Sequence, residues 1–341
     1  MKSGRLGKGK IIFLVFLVIA SAAVIISRNN TRYIYNEGNV FGTYYHITYS
    51  YNRDLQAEID KRLAMVDASL SPFNKRSIIT AVNENRDVRV DSMFSHVFNL
   101  AQTVSEATNG AFDITVAPLV NAWGFGFAKK DNVTSSAILN LLKTVGYRKV
   151  SLSDGGRVIK QNPETKLDCS AIAKGYGCDV VAALFNELKD YLVEIGGEIA
   201  AKGKNSKNAL WSIGINRPVD DSTQVNNEIE AVVELSDCGM ATSGNYRRFY
   251  YRNGKRYAHT IDPRSGYPVQ HTLLSSTVIA RDCATADAYA TAFMVLGVDS
   301  AKEVLRNHKE LEAYFIYSDE KGGYGVWMSP QLAARIAKAK R

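Results

Sequence analysis

The chain has 341 residues, of which 46% are hydrophobic and 22% are charged, so it can bury a sizeable core and is not expected to be disordered. The net charge of +8 comes from its ends, with five cations in residues 1–28 and four in residues 335–341. The body between them is near neutral, which argues against a nucleic-acid binder.

The N-terminal residues 1–28 read as a targeting segment. Four cations, Lys2, Arg5, Lys8 and Lys10, precede the apolar run of residues 11–26. This run is slightly short of the ~20 residues that span a bilayer, so a cleaved signal and an uncleaved anchor are both open. No small-x-small cleavage site and no cysteine follows the run, which favours a membrane anchor with the rest of the chain on the periplasmic side.

The remainder, residues 38–341, is predicted to form one domain. Residues 40–51 have strand composition, and residues 54–70 and 92–108 have helical spacing, the latter ending at Asn109-Gly110. Further helices are predicted at 134–145, 172–189, 282–296 and 299–307, and further strands near 191–195, 210–216, 229–236, 246–251, 273–280 and 311–317. Hairpin signals such as Asn253-Gly254 predict an α+β fold of mostly antiparallel sheets covered by helices. The lack of a βαβ ladder and of G-x-G-x-x-G argues against a Rossmann flavoprotein.

Two segments place unusual residues at turns and helix starts. Phe112 and Asp113 follow a helix-terminating turn, where loops often present functional groups, although a buried Phe112 and a capping Asp113 would explain them equally well. Residues 167–177 bring small residues and Lys174 to the start of a helix, where backbone N–H groups favour anions such as phosphates. The alternative is a close-packed helix start with Lys174 in solvent.

Two later segments carry a candidate base and a candidate metal site. His259, near Asp262 and Arg247, can act as a general base, although a lone histidine is more often structural. Asp287 and Thr291 stand four residues apart on a predicted helix, so their oxygens share one face and suit Mg²⁺. An acid in this Ala-rich helix would be costly to bury unpaired, unless it lies on an exposed face.

Four cysteines are scattered along the chain: Cys169, Cys178, Cys238 and Cys283. They lack the C-x-x-C spacing of a zinc or redox site. We expect small buried residues near the chemistry, either free or paired in a disulfide.

These segments together resemble the ApbE family of FAD:protein FMN transferases. The motifs lie in the family's order at residues 41–45, 109–119, 168–176, 193–198, 242–246, 259–268 and 286–291. The family commonly has methionine at the position of Phe41 and tyrosine at that of Phe73, so this chain departs from the pattern there. Both replacements keep an apolar contact for flavin or adenine.

The resemblance implies particular site residues. An FAD site would comprise Phe41, Phe73, Ala111, Phe112, Asp113, Asp168, Lys174 and Ile261. A Mg²⁺ site would use the carbonyl of Ala171 with Asp287 and Thr291, and His259 and Asp287 would be catalytic.

The implied activity is Mg²⁺-dependent transfer of FMN from FAD to a threonine or serine hydroxyl of an acceptor flavoprotein, with release of AMP. In this reading Asp262 and Arg248 orient the reacting groups. The implied acceptor is a subunit of a membrane redox complex. Two alternatives stay open: an Mg²⁺-dependent FAD pyrophosphatase and a non-catalytic FAD-binding protein.

Overall fold

The structure, a computed structural model, describes residues 9, 13–21, 32–126, 133–218, 228–245, 249–252, 255–319 and 323–339. Residues 13–21 form helix α1, whose side chains are exposed. Most of the predicted anchor lies outside the described residues. Within them, we find no helix with the length and apolar character needed to span a membrane.

An eight-stranded sheet forms the centre of the domain. Every neighbouring pair of its strands is antiparallel. Its order is β1 (Tyr33–Val40), β2 (Thr43–Ser50), β5 (Tyr191–Ile195), β6 (Glu198–Lys202), β9 (Cys238–Gly244), β12 (Leu273–Ala280), β13 (Glu312–Ser318) and β14 (Tyr324–Met328). Three two-stranded sheets join β3 (Val150–Leu152) to β4 (Val158–Lys160), β7 (Trp211–Asn216) to β8 (Ile229–Leu235), and β10 (Phe249–Arg252) to β11 (Lys255–Ala258).

The helices cover both faces of this sheet. They are α2 (Gln56–Leu70), α3 (Ile78–Asn83), α4 (Ser92–Ala107), α5 (Ala117–Ala122), α6 (Ser135–Leu142), α7 (Ala173–Ala182), α8 (Cys283–Asn307) and α9 (Pro330–Ala339). Short 3₁₀ turns occupy Tyr147–Lys149 and Ala183–Phe185. On one face α7 packs on β5 and β6 while α8 packs on β9 and β12, with α2 and α4 outside them; α9 contacts β8 and β13.

The alternation of side chains along β9 shows how the two faces separate. Ala241 belongs to the core cluster that includes Phe293 of α8, whereas Met240 belongs to the cluster that includes Leu332 of α9. Successive residues of a strand point to opposite faces, so one strand serves two cores. The predicted α+β fold with a mostly antiparallel sheet is confirmed.

Several predicted boundaries need correction. The strand predicted at 40–51 is interrupted, because Phe41 and Gly42 form a hairpin turn with φ of +52° and +75° and β2 begins only at Thr43. The helix predicted at 172–189 ends at Ala182 and continues as a 3₁₀ turn. The helices predicted at 282–296 and 299–307 are the two parts of α8, which breaks at Gly297 (φ 75°, ψ 176°). Residues 246–248 and the Asn253-Gly254 turn lie outside the described residues.

Candidate active site

The two helices that carry the strongest motifs meet at Gly175. Its backbone N–H donates a hydrogen bond to Oδ2 of Asp287, with an N···O distance of 3.0 Å. A Cβ at this position would collide with the carbonyl oxygen of Cys283 and lie 2.8 Å from the Cβ of Asp287. Only glycine therefore lets α7 approach α8 closely enough for this bond.

The same hydrogen bond satisfies a free donor at the start of α7. Ile172 is the N-cap of this helix, so the N–H of Gly175 is one of the first N–H groups, which have no partner within a helix. The bond from the N–H of Tyr176 to the carbonyl of Ile172 closes the first turn. Among the described residues no group donates to the carbonyl oxygen of Ala171, so it is available for a ligand.

Thr291 lies one helical turn beyond Asp287, as the spacing predicted. Its hydroxyl is 3.1 Å from the hydroxyl of Ser243 on β9, and both side chains are half-buried. Because either oxygen can donate, the hydroxyl of Thr291 can give its proton to Ser243 and keep its lone pairs for a cation.

Asp287 is buried, with a relative exposure of 3%. Burial raises the pKa of its carboxyl, while the ammonium of Lys174 and the N–H of Gly175 act in the opposite direction. No described residue donates a hydrogen bond to its second oxygen, Oδ1. A buried carboxylate with one free oxygen is energetically costly unless a cation satisfies it.

Hard oxygen donors are what Mg²⁺ prefers, together with water and phosphate. The carbonyl of Ala171, Oδ1 of Asp287 and the hydroxyl of Thr291 fit this requirement. In the described part of the chain there is no cluster of three or more His, Cys, Asp or Glu that could hold a metal. The candidate set has one carboxylate and so differs from the clusters typical of zinc.

Lys174 extends from the second residue of α7 and pairs with Glu198. The ammonium is 2.5 Å from Oε1 of Glu198, and about a third of the Lys174 side chain is exposed. Burial acts to lower the pKa of Lys174, but the carboxylates of Asp287 and Glu198 outweigh it and raise this pKa above its usual value. The alternative that placed Lys174 in solvent does not describe it fully, because the ammonium forms an ion pair and only about a third of the side chain is exposed.

Sequence reasoning assigned no role to Glu198. Burial raises the pKa of its carboxyl, while the ammonium of Lys174 acts to lower it. The residue stands directly after the Gly196-Gly197 turn between β5 and β6, where both glycines have positive φ. An acid at the first position after such a hairpin turn was the signal that could have identified it.

A second missed acid, Asp179, ties α7 to the start of α8. Its carboxylate accepts hydrogen bonds from the N–H groups of Cys283 (2.9 Å) and Ala284 (2.8 Å). Burial raises its pKa to about 7. The sequence feature that could have identified Asp179 is an acid beside Val180 and Val181 in an otherwise apolar helix.

The loop that contains Ala111, Phe112 and Asp113 is buried. Oδ1 of Asp113 accepts from the N–H and the hydroxyl of Thr115, and Oδ2 accepts from the N–H of Tyr147, each at 2.7 Å. Burial raises the pKa of this carboxyl. Asp113 does not cap the next helix, and both of its oxygens hold the loop together.

Asp168 connects this loop to the start of α7. Its N–H donates to the carbonyl of Ile114 over 2.7 Å, and its Oδ1 accepts from the N–H of Ser170 over 2.8 Å. The 111–115 loop and the turn that contains Ala171 are therefore adjacent.

The segment around His259 lies against α5. Ile261 is buried in a cluster with Trp123, whose indole N–H donates to the carbonyl of Gly266 over 2.8 Å. His259 is half-buried and meets Phe125 edge to face, with ring centroids 6.3 Å apart. The catalytic role of His259 stays a prediction.

Asp262 is one of the two residues predicted to orient the reacting groups. Its carboxylate pairs with Arg264 through two hydrogen bonds of 2.9 Å. Arg247 and Arg248 lie outside the described residues. The backbone N–H of Arg264 also donates to this carboxylate, because the turn brings Arg264 close to Asp262.

The two predicted aromatic contacts have different surroundings. Phe41 is half-buried at the β1–β2 turn, with its ring so close to α7 that a Cβ on Gly177 would be 2.9 Å from its Cε2. Phe73, in the loop between α2 and α3, exposes 75% of its surface. The structure therefore places Phe41 against α7, and the assignment of Phe73 stays a prediction.

All four cysteines are free, and three of them are buried: Cys169, Cys178 and Cys283. Cys178 donates to the carbonyl of Glu198 over 3.2 Å.

Comparison with known proteins identifies the chain. A sequence model described as the ApbE family matches residues 41–315. The chain belongs to the ApbE family. The FAD:protein FMN transferase of Haemophilus influenzae is 37% identical over 331 residues, which cover 92% of this chain and 94% of that protein.

Solved ApbE structures have the same fold. The flavin transferase ApbE from Vibrio cholerae superimposes with a TM-score of 0.80 at 32% identity and covers 89% of this chain and 99% of its own. The apo form of the Pseudomonas stutzeri flavinyl transferase ApbE also gives a TM-score of 0.80, at 28% identity, with 90% and 97% covered.

Proposed function

We propose that this ApbE protein is an FAD:protein FMN transferase, which moves FMN from FAD to a threonine or serine hydroxyl of an acceptor flavoprotein and releases AMP. The similarity to transferases over most of their length supports the activity. The observation that carries the proposal is that the N–H of Gly175 holds Oδ2 of Asp287 against the start of α7, while Oδ1 of Asp287 and the carbonyl oxygen of Ala171 accept no hydrogen bond from the described residues.

In this proposal the oxygens of Ala171, Asp287 and Thr291 hold Mg²⁺. The bound ion would neutralise negative charge on the phosphate oxygens of FAD. Thr291 contributes through its hydroxyl, whose hydrogen bond to Ser243 fixes its orientation.

The chain's own residues bind the diphosphate and the rings. Lys174 offers a partly exposed ammonium at the start of α7, where the helix dipole also favours anions. Phe41 and Phe73 supply apolar contacts for flavin or adenine. The remaining FAD contacts in the proposal are Ala111, Phe112, Asp113, Asp168 and Ile261. Because the carboxylate of Asp113 is engaged, its contact with FAD would come through the backbone.

His259 acts as general base. It accepts the proton of the acceptor hydroxyl, whose oxygen forms a bond to the FMN phosphorus while the bond from that phosphorus to the AMP oxygen breaks. AMP leaves with the electron pair of the broken bond. If water replaced the hydroxyl, the same residues would act as an FAD pyrophosphatase.

We also propose that residues 1–28 anchor the protein in the cytoplasmic membrane. The catalytic domain would then lie on the periplasmic side and act on a flavoprotein subunit of a membrane redox complex. The cations before the apolar run support this orientation. Carbonate extraction of membranes and protease treatment of spheroplasts test it. A soluble chain that lacks the N-terminal segment would instead indicate a cleaved signal.

One assay tests the activity against its alternatives. The full chain in detergent is incubated with FAD, MgCl₂ and a candidate acceptor, and the products are analysed by in-gel flavin fluorescence and AMP release. A fluorescent acceptor with equimolar AMP is the expected result. FMN and AMP without labelled acceptor would indicate a pyrophosphatase, and intact bound FAD a binding protein.

A further inference from the structure

Glu198 is a buried acid that has no role in the proposed reaction. Its side chain is only 5% exposed, and its Oε2 has no hydrogen-bond partner among the described residues. A buried carboxylate oxygen without a donor carries a desolvation cost. Glu198 pairs with Ile195 in the β5–β6 ladder, directly after the Gly196-Gly197 turn.

Lys174 has two carboxylates within electrostatic reach but forms an ion pair with one. Its ammonium is 2.5 Å from Oε1 of Glu198, and among the described residues it forms no ion pair with Asp287 within 4.0 Å, although Asp287 is the charge that most raises the pKa of Lys174. Asp287 is instead held by the N–H of Gly175, which leaves its Oδ1 without a donor. The ammonium is thus kept off the oxygen that the proposed cation needs.

We propose that Glu198 is a positioning residue, which holds the ammonium of Lys174 away from Asp287 and so keeps the carboxylate available for the divalent cation. This inference rests on the proposed function only through the cation site. An ammonium and a divalent cation compete for the same carboxylate oxygen, because both are positive and each can neutralise the negative charge of the carboxylate. Without the negative charge of Glu198, the remaining carboxylate partner of Lys174 is Asp287.

The test measures cation binding directly rather than turnover. The full chain in detergent is titrated with MnCl₂ without FAD, and free Mn²⁺ is followed by electron paramagnetic resonance. We expect Glu198→Gln, which keeps shape but not charge, to raise the Kd for Mn²⁺ about tenfold. Lys174→Met in the same background should bring the Kd back to within about threefold of the wild type, because the competing ammonium is gone.

Glu198→Asp separates positioning from the mere presence of charge. It keeps the charge but shortens the side chain by one methylene, so it cannot hold the ammonium at the same point. We expect its Kd for Mn²⁺ to rise as well. A wild-type Kd in Glu198→Asp would mean that only the charge acts, and would overturn the positioning role.

A crystal structure of Glu198→Gln gives a second readout. We expect the ammonium of Lys174 to have moved to Asp287. An ammonium still held at residue 198, or an unchanged Kd in Glu198→Gln, would overturn the role of Glu198 alone. A wild-type protein that binds no Mn²⁺ would overturn the cation site and this inference together, so the two failures are distinguishable. Equal losses in Glu198→Gln and the double variant would indicate a structural role instead.

Discussion

The N–H of Gly175 donates to Oδ2 of Asp287 over 3.0 Å, and this bond joins the two helices of the candidate active site. It fixes one oxygen of the carboxylate on α8, and it gives a partner to an N–H at the start of α7 that a helix leaves free. The proposed cation site thus depends on a residue that contributes no side chain.

Gly175→Ala should disrupt this junction. The added methyl would collide with the backbone of α8, so we expect a loss of about 1–3 kcal/mol in the free energy of unfolding and a large loss of FMN transfer. Urea denaturation and the transfer assay measure both. Gly155→Ala is the matched control, because its Cβ would meet nothing closer than Ser153 Oγ at 3.9 Å. Equal effects of the two variants would contradict the close approach.

Asp287→Asn should separate activity from stability. Burial raises the pKa of Asp287, so its charge is costly in the metal-free fold, and we expect no loss of unfolding free energy in EDTA. Mg²⁺-dependent transfer and the stabilisation of the fold by MgCl₂ should both disappear. Asp299→Asn, on the same helix with its side chain 98% exposed, should retain both. Transfer by Asp287→Asn at the wild-type rate would exclude Asp287 from the cation site.

Thr291→Val keeps the shape of the side chain and removes its hydroxyl. We expect the MgCl₂ concentration for half-maximal transfer to rise several-fold, with a stability loss of only about 1 kcal/mol from the lost bond to Ser243. Ser243→Ala removes the partner hydroxyl and should have the smaller effect on the MgCl₂ requirement. The reverse order would mean that Thr291 is not a ligand.

His259→Ala should lower the rate of transfer about 10²- to 10⁴-fold, the range for loss of a general base. Stabilisation by MgCl₂ should persist, because the cation oxygens are untouched. His46→Ala is the control, since that histidine lies on β2 with its side chain 61% exposed. Single-turnover kinetics measure the chemical step, and an unchanged rate would assign the base to another group.

Asp179→Asn tests the buried acid that caps α8. Burial raises the pKa of Asp179 to about 7, so below neutral pH the folded protein keeps a proton that the unfolded chain releases near pH 4. The contribution of Asp179 to the free energy of unfolding is fully present below about pH 4 and is lost as the pH rises towards about 7.

The free energy of unfolding of the wild type should therefore exceed that of Asp179→Asn by less and less between pH 4 and 7. The difference should fall by at most about 1.4 kcal/mol per pH unit. Urea unfolding in EDTA at several pH values measures the difference. Asp299→Asn, whose side chain is 98% exposed, is the control. A gap that widens with pH would refute the raised pKa.

Local patterns predicted many elements of the fold. Strands β5 and β12 match their predicted residues, and helix α2 begins two residues later than predicted. The strands of Tyr33–Val40, Glu198–Lys202, Cys238–Gly244 and Tyr324–Met328 were not predicted. Strand β9 in particular is rich in glycine, serine and threonine, so its composition gives little strand signal. It is a strand because β6 and β12 pair with it on both sides.

The sequence by itself determined the family, the fold class, and the shared helix face of Asp287 and Thr291, because motif order and a four-residue spacing are local properties. Only the tertiary structure decided which groups complete the site. Gly175 and Glu198 lie more than eighty residues from Asp287, and their roles follow from the crossing of α7 over α8 and the position of the β5–β6 turn. Contacts between distant segments depend on how the helices pack on the sheet, and no local pattern encodes that packing.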